Sequence, residues 1–375
     1  MSPLSSSALS LSRVRNVFRA REGVRSAALL SVAGNLLLTL SACESPSSAA
    51  PAEITYFSES ESEYAIGPVI ARLDEYDERG MFAAIGAILG VDTGYVVADG
   101  LNHQLVLLDE QLNPLRTMGR QGEGPGEYQF PSRLARDGDH VAVLDVGLGR
   151  VSFLTADGDF TRSRQVTGNL RDLAAHPELG LLVAGDAFPD HYLVHVTEDG
   201  QTGFARIPEG FRTHSELFQL RADLVAVTPD GTVHVLDGRQ LALVSYHSSG
   251  SQTRLVYLPE EARASTIERI ESLTESFGGP RTVLGVQAAT TLQSLADGRL
   301  FVQVTSGNAI GFVLDLDSRE AIPITVPSGN QWTQSSGATT FFDGERLVFT
   351  EGMTGVMIAE TEFVASRTAT AAARQ

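Results

Sequence analysis

DGDHVAVLD, residues 137–145, is a tight Gly-bearing turn that runs into a short apolar strand closing on Asp, and the pattern recurs along the chain. The other copies are DTGYVVAD (92–99), ELGLLVAGD (178–186), DGTVHVLD (230–237), DGRLFVQVT (297–305) and DGERLVFT (343–350). Their turn glycines, Gly94, Gly138, Gly180, Gly231, Gly298 and Gly344, are spaced by 44, 42, 51, 67 and 46 residues. A period near 45 with several short strands in each unit is the signature of propeller blades.

Working outward, each copy is followed by a second apolar alternation: QLVLLD (104–109), RVSFLT (150–155), YLVHVT (192–197), LALVSY (241–246) and GFVLDL (311–316). Hairpin turns then follow in several units, as in ADGDF (156–160) and EDGQT (198–202). Strand, turn, strand, loop, strand, hairpin, strand is a four-stranded antiparallel blade. The chain is therefore expected to be all-β, a six-bladed propeller over residues 53–366. The last unit stops short of a fourth strand, so EITYFS (53–58) is expected to pair onto it and close the ring, covering two sheet edges. One unit is longer: over 260–277, Ile267, Ile270, Leu273 and Phe277 recur at helical spacing before a Gly-Gly-Pro stop. That predicts one short helix between blades four and five, seated either over the channel mouth or on the rim. Residues 367–375 read as a loose tail.

The N-terminus is a different kind of sequence. Arg13, Arg15, Arg19, Arg21 and Arg25 precede an apolar run over 27–40, which meets small residues at Cys43. A basic stretch, a short apolar core and small residues make a secretory signal over 1–42. The run of 14 residues is short of the roughly 20 a membrane-spanning helix needs. Ser, Pro and Ala over 43–52 read as a flexible tether.

Composition removes several chemistries. Cys43 is the sole cysteine and all 28 basic residues are Arg, so Schiff-base lysine catalysis is absent, and a modified Cys43 leaves no thiol. Loss of 1–42 takes the net charge from −18 to about −22, a surface that repels nucleic acid. Nucleic acid is thus not an expected partner, and the chain is expected to be a monomer.

GRQGEGPGEYQFPSRLARDG (119–138) continuing through VLDVGLGRVSFLTADGDF (143–160) resembles NHL repeats: a Gly-rich connector, an aromatic, a Pro opening the inner strand, a strand ending in Asp, then ArgVal and a final hairpin. The resemblance covers one full blade and its connector well and the preceding blade in part. The chain is also similar to six-bladed propeller lipoproteins of bacteria, and LSAC (40–43) resembles their lipobox. That resemblance implies a lipid on Cys43, a membrane anchor outside the cytoplasm and, with Glu44 following, an outer-membrane destination. Some NHL propellers are zinc-dependent lyases using histidines, and gluconolactonase-like propellers bind Ca²⁺ with acidic and Asn ligands. Against zinc, His191 and His195 on one strand would lie about 13 Å apart. Asn102, Asn169 and Asn308 do not spell the pattern of the calcium family.

Two sets of site residues emerge. Asp99, Asp145, Asp186 and Asp237 end successive second strands and gather on one face, as Ca²⁺ ligands or as caps on the loops that follow. Arg133, Arg171 and Asp172 fall on presumed inner strands, with Arg120 and Glu123 on the connector, as a mouth for a polar ligand or an internal ion-pair network. Trp332 is either a sugar platform or packing. The sequence reading is a membrane-anchored binding or scaffold propeller for protein, peptide or saccharide. The competing class is a Ca²⁺- or Zn²⁺-dependent hydrolase or lyase acting at the central face.

Overall fold

The computed structural model describes residues 54–73, 81–211, 223–276, 288–304, 309–326, 340–352 and 354–366. The chain divides into Met1–Ala52 and Glu53–Gln375. The signal segment, the tether, Cys43 and the tail over 367–375 lie outside the described residues. Among the described residues no helix is long and apolar enough to cross a membrane.

Two strands precede the repeats: β1 (Ser58–Glu59) and β2 (Glu63–Leu73). Four repeats then each form a four-stranded antiparallel sheet, the blade of an all-β propeller. These are β3 (Ile85–Val91) to β6 (Pro114–Met118) by way of β4 (Gly94–Asp99) and β5 (Gln104–Leu108); β7 (Pro131–Asp137), β8 (His140–Asp145), β9 (Arg150–Thr155) and β10 (Phe160–Gln165); β11 (Asp172–His176), β12 (Gly180–Ala184), β13 (His191–Val196) and β14 (Gln201–Arg206); and β15 (Leu224–Val227), β16 (Val233–Asp237), β17 (Ala242–Tyr246) and β18 (Gln252–Tyr257). The helix α1 (Glu260–Ser276) follows. The remaining strands are β19 (Thr291–Ser294), β20 (Leu300–Gln303), β21 (Ala309–Asp315), β22 (Glu320–Thr325), β23 (Thr340–Phe342), β24 (Arg346–Glu351) and β25 (Gly355–Val364). Together with β1 and β2 they form one nine-stranded sheet, with β2 between β22 and β25.

The join inside that sheet is slight. β2 runs parallel to β22 only at Tyr64↔Ile324 and Ala65↔Thr325, whereas it pairs antiparallel to β25 from Glu63↔Val364 to Leu73↔Val356. The first strands β3, β7, β11, β15, β19 and β23 neighbour one another in a circuit that returns from β23 to β3.

The repeat motif explains this arrangement. β4, β16 and β17 are buried along their whole length, while the outer strand β10 is largely exposed. A strand covered on both faces by neighbouring sheets reads as a continuous apolar run rather than an alternation. The apolar layers lie between consecutive sheets: Val143 packs with Leu105, Val183 with Leu144, Val235 with Leu182, Phe312 with Leu243 and Leu347 with Phe301. Val348 with Val106 then joins the final strands to the first blade. The turn glycine is required at Gly94, where φ is +138° and an added Cβ would meet the Leu108 carbonyl oxygen at 2.2 Å.

The strand that pairs onto the last strands comes from a different segment from the one expected. EITYFS does not pair onto the last strands; Tyr56 bridges Tyr257 and β1 runs parallel to β22. The physical reason is Phe57, 2 % exposed, which is drawn into the apolar cluster beside Leu258 and Ala262. The following run, EYAIGPVIARL, buries Tyr64 and Ile66 and supplies the strand that pairs with β25.

The helix lies where its spacing predicts. Ala262 and Thr266 are buried, while Ile267 is 40 % exposed. Arg263 stacks over Tyr257, 4.6 Å from the ring centroid, and donates to the Gln240 carbonyl. Tyr257 is on an outer strand, so the start of α1 is seated on the rim. Ile270 and Leu273 lie within α1 but outside the described side chains, and Phe277 lies outside the described residues.

Candidate functional site

Three of the four strand-ending aspartates bond within their own repeat, and the fourth, Asp237, also reaches the preceding blade. In the first blade, Asp99 Oδ2 and Oδ1 accept from the Ala83 and Ala84 amides, both at 2.9 Å. In the second, Asp145 accepts from the amides of Gln129 at 2.7 Å, Phe130 at 2.9 Å and Leu148 at 3.0 Å. Asp186 accepts from the Asn169 amide at 2.7 Å. Asp237 accepts from the Arg239 and Gln240 amides and, at 2.7 Å, from the Tyr192 hydroxyl. In the first three blades the hairpin of strands one and two brings the strand-two terminus beside the residues entering strand one, so the carboxylate clasps the connector; Asp237 instead caps the loop that follows it. Among the described residues no group of three His, Cys, Asp or Glu is placed to hold a metal ion. The Asp set is occupied by backbone donors and does not fit Ca²⁺. Three histidines bond to backbone carbonyls: His176 to Gly231, His195 to Leu179 and His103 to Gln129.

The second predicted set separates into two groups. Arg133 Nη1 on β7 donates to the Gly86 carbonyl of β3 at 2.8 Å, and its Nε lies 4.0 Å from Asp172 Oδ1 on β11. Asp172 Oδ2 in turn accepts from the Val225 amide of β15 at 2.9 Å. Arg133 and Asp172 thus form a belt across the first strands of four consecutive blades. Burial pushes the Asp172 carboxyl up to about 6, against the opposing pull of Arg133 and the Val225 amide. Arg171 is bonded to the Ala184 carbonyl through its amide.

Arg120 and Glu123 belong elsewhere. Arg120 pairs with Glu127 at 2.7 Å, its side chain 80 % exposed, and the Glu123 carbonyl accepts from Arg150 Nη1 at 2.7 Å. Arg150, 6 % exposed, also donates to the carbonyls of Gly124 and Glu127. Its guanidinium holds the Gly-rich connector, a role the sequence reading did not assign. Trp332 and Asn308 lie outside the described residues.

A site that breaks the repeat lies in the fourth blade. Three residues before the Asp or Thr ending each strand-two motif, the cross-strand pair is Val96–Leu107, Ala142–Phe153, Val183–Val194, Val302–Phe312 or Leu347–Ala359. In the fourth blade alone it is His234–Ser245, continued across the ladder by Arg254. Directly opposed residues share a face, so one polar row replaces an apolar one between blades. Aligning the six motifs on their last residue reveals His234 as the odd member; reading the histidines by position along the chain did not.

Ser245 and His234 continue into a hydrogen-bonded series through Thr228 and Asp230, while Arg254 Nη1 donates to the Leu316 carbonyl. Ser245 Oγ lies 2.9 Å from His234 Nδ1, His234 Nε2 lies 3.1 Å from Thr228 Oγ1, and Thr228 donates to Asp230 Oδ1 at 2.6 Å. With its proton given to Asp230, Thr228 accepts from Nε2–H, which leaves Nδ1 to accept from Ser245. Burial pushes the His234 pKa down to about 4, despite the pull of Asp230 and with the help of Arg254. His234, Ser245 and Thr228 are 2 %, 2 % and 4 % exposed.

This row borders a cavity of about 630 Å³ between the fourth blade and the turns of β19–β22. Asp230, Asp297, Asp315 and Asp317 contribute carboxylates to its wall, and Arg254 and Arg299 contribute guanidiniums. The turns β15–β16, β19–β20 and β21–β22 line it, so it opens at the end of the blades opposite the aspartate clasps.

No family of known proteins is matched by the sequence, and no curated protein matches it. Solved structures share the fold. An exported protein of Bacteroides fragilis superposes with a TM-score of 0.53 at 12% identity, covering 84% of this chain and 99% of that one. Virginiamycin B lyase of Staphylococcus aureus gives 0.49 at 11%, covering 80% and 99%. A gluconolactonase of Xanthomonas campestris gives 0.44 at 14%, covering 81% and 88%. At 12% identity the first of these speaks for the fold alone.

Proposed function

We propose that the chain is a six-bladed, lipid-anchored, extracytoplasmic propeller that binds a polar ligand of the saccharide class in the cavity beside the fourth blade. Six blades are supported by the circuit of first strands and by the slight join between β22 and β2, which divides the nine-stranded sheet into two blades. Anchoring through Cys43 and an outer-membrane destination rest on the lipobox-like LSAC and Glu44, and the NHL-like connector held by Arg150 is consistent with the resemblance.

The observation that carries the binding reading is the cavity wall, which mixes donors and acceptors. A sugar hydroxyl both donates and accepts, so it satisfies carboxylate, guanidinium and threonine neighbours together. A polyanion would face four carboxylates, and an apolar peptide side chain would find only Pro229, Ala296 and Leu316.

Calorimetric titration of the protein with neutral oligosaccharides tests the reading. Binding that weakens at least about tenfold in Arg254→Ala and Asp317→Asn supports it. Binding indifferent to both substitutions, or no binding at millimolar sugar, refutes it.

A further inference from the structure

The polar row does more than line the cavity. A saccharide wall needs donors and acceptors at its surface; it does not need a serine and a histidine opposed at 2.9 Å with the imidazole tautomer set from behind. The order Ser245, His234, Thr228, Asp230 has the parts of an activated nucleophile: a hydroxyl, a base within hydrogen-bond reach, and a third group that orients the base. Here a threonine hydroxyl stands between the imidazole and the carboxylate. Asp230 is itself fixed by the Thr232 amide and hydroxyl, both at 3.0 Å. Arg254, the ladder partner of Ser245, brings a cation to the same face, where negative charge would develop on an attacked carbonyl oxygen.

We propose that Ser245 is the nucleophile of an ester hydrolase acting on O-acylated saccharides seated in this cavity, with His234 as its base. The proposal rests on the binding reading above for its substrate class. Ser245 Oγ attacks the ester carbonyl carbon while its proton passes to His234 Nδ1. The Nε2–H bond to Thr228, backed by Asp230, stabilises the imidazolium. Collapse of the tetrahedral adduct breaks the bond to the sugar oxygen, which leaves with the proton from Nδ1. Water, losing its proton to Nδ1, then attacks the acyl-serine, and collapse returns that proton to Ser245 Oγ and frees the carboxylic acid. No metal, oxidant or further reactant enters the balance. His234 is neutral at neutral pH, as this role requires. Thr228 and Asp230 are positioning residues.

The test treats the full chain, purified in mild detergent, with phenylmethanesulfonyl fluoride and maps the adduct by mass spectrometry. A single sulfonyl group on Ser245 is expected. It should be lost in Ser245→Ala and form at least about 100-fold more slowly in His234→Gln. Glucose pentaacetate should be deacetylated with the same dependence. Thr228→Val should lower kcat, and Thr228→Ser, which retains the hydroxyl, should recover the rate, a rescue that loss of packing alone would not produce. Mapping on the unsubstituted protein needs no variant to fold. Absence of an adduct, or an adduct elsewhere that persists in Ser245→Ala, overturns the proposal. If neutral oligosaccharides bind Ser245→Ala while the unsubstituted protein takes no label, the binding reading stands and the hydrolase falls. If Ser245 is labelled but no sugar binds, the nucleophile stands and the saccharide assignment falls.

Discussion

Asp172→Asn, at the centre of the belt, should change how stability depends on pH in a direction opposite to that of most protein carboxylates. Asp172 is 9 % exposed and its pKa is pushed up from 3.8 to about 6, a rise of about two units, or roughly 3 kcal/mol. The folded state therefore holds this proton more tightly than the unfolded chain. The associated stability is fully present below about pH 4 and is lost as the pH climbs through about 6. The 4.0 Å approach of Arg133 and the Val225 amide offset only part of the burial cost. Asn removes the titration while its side-chain oxygen still accepts from Val225. Urea unfolding of both proteins at a series of pH values, in the Cys43→Ser background, isolates the effect because all other carboxylates cancel in the difference. The advantage of the unsubstituted protein over the variant should shrink by roughly 2.4 kcal/mol between pH 4 and pH 7. A flat difference, or one that grows with pH, would show that Arg133 outweighs burial and would refute the reasoning.

Other perturbations follow from the same geometry. Arg150→Met removes three bonds to the connector carbonyls and should cost about 2–4 kcal/mol in urea unfolding. Asp145→Ala, which frees three amides, should cost about 2–4 kcal/mol, against about 1 kcal/mol for Asp186→Ala with its single described amide partner; equal midpoints would show that the clasps are not what holds the blades' entries. Gln293→Ala should weaken the seam between β19 and β23, where its amide pairs with both the carbonyl and the amide of Phe342. A loss of about 1–3 kcal/mol, read by denaturation, is expected. Cys43→Ser should move the protein from the membrane to the soluble fraction, and its persistence in membranes would count against the anchor.

The strand order of the blades was legible in the sequence because each blade is built from local hairpins, and local hairpins write turn glycines and apolar runs at a fixed period. Arg133 and Asp172 come together across blades because a charge on an inner strand has few places to go. Arg120 and Glu123 do not join them, since nearness in the connector says nothing about which way the connector faces; there Arg120 pairs with Glu127 and Arg150 holds the Glu123 carbonyl.

By itself the sequence determined the repeat, the all-β blades, the helix after the fourth of them and the acidic, lysine-free surface. These depend on residues near one another in the chain, where turn geometry and strand periodicity act. Only the tertiary structure decided which N-terminal segment pairs with β25, and that Ser245, His234, Thr228 and Asp230 form one hydrogen-bonded series beside a cavity. Those outcomes depend on which surfaces meet when one blade packs on the next, and a side chain's neighbour across a sheet interface leaves no spacing in the chain to be read.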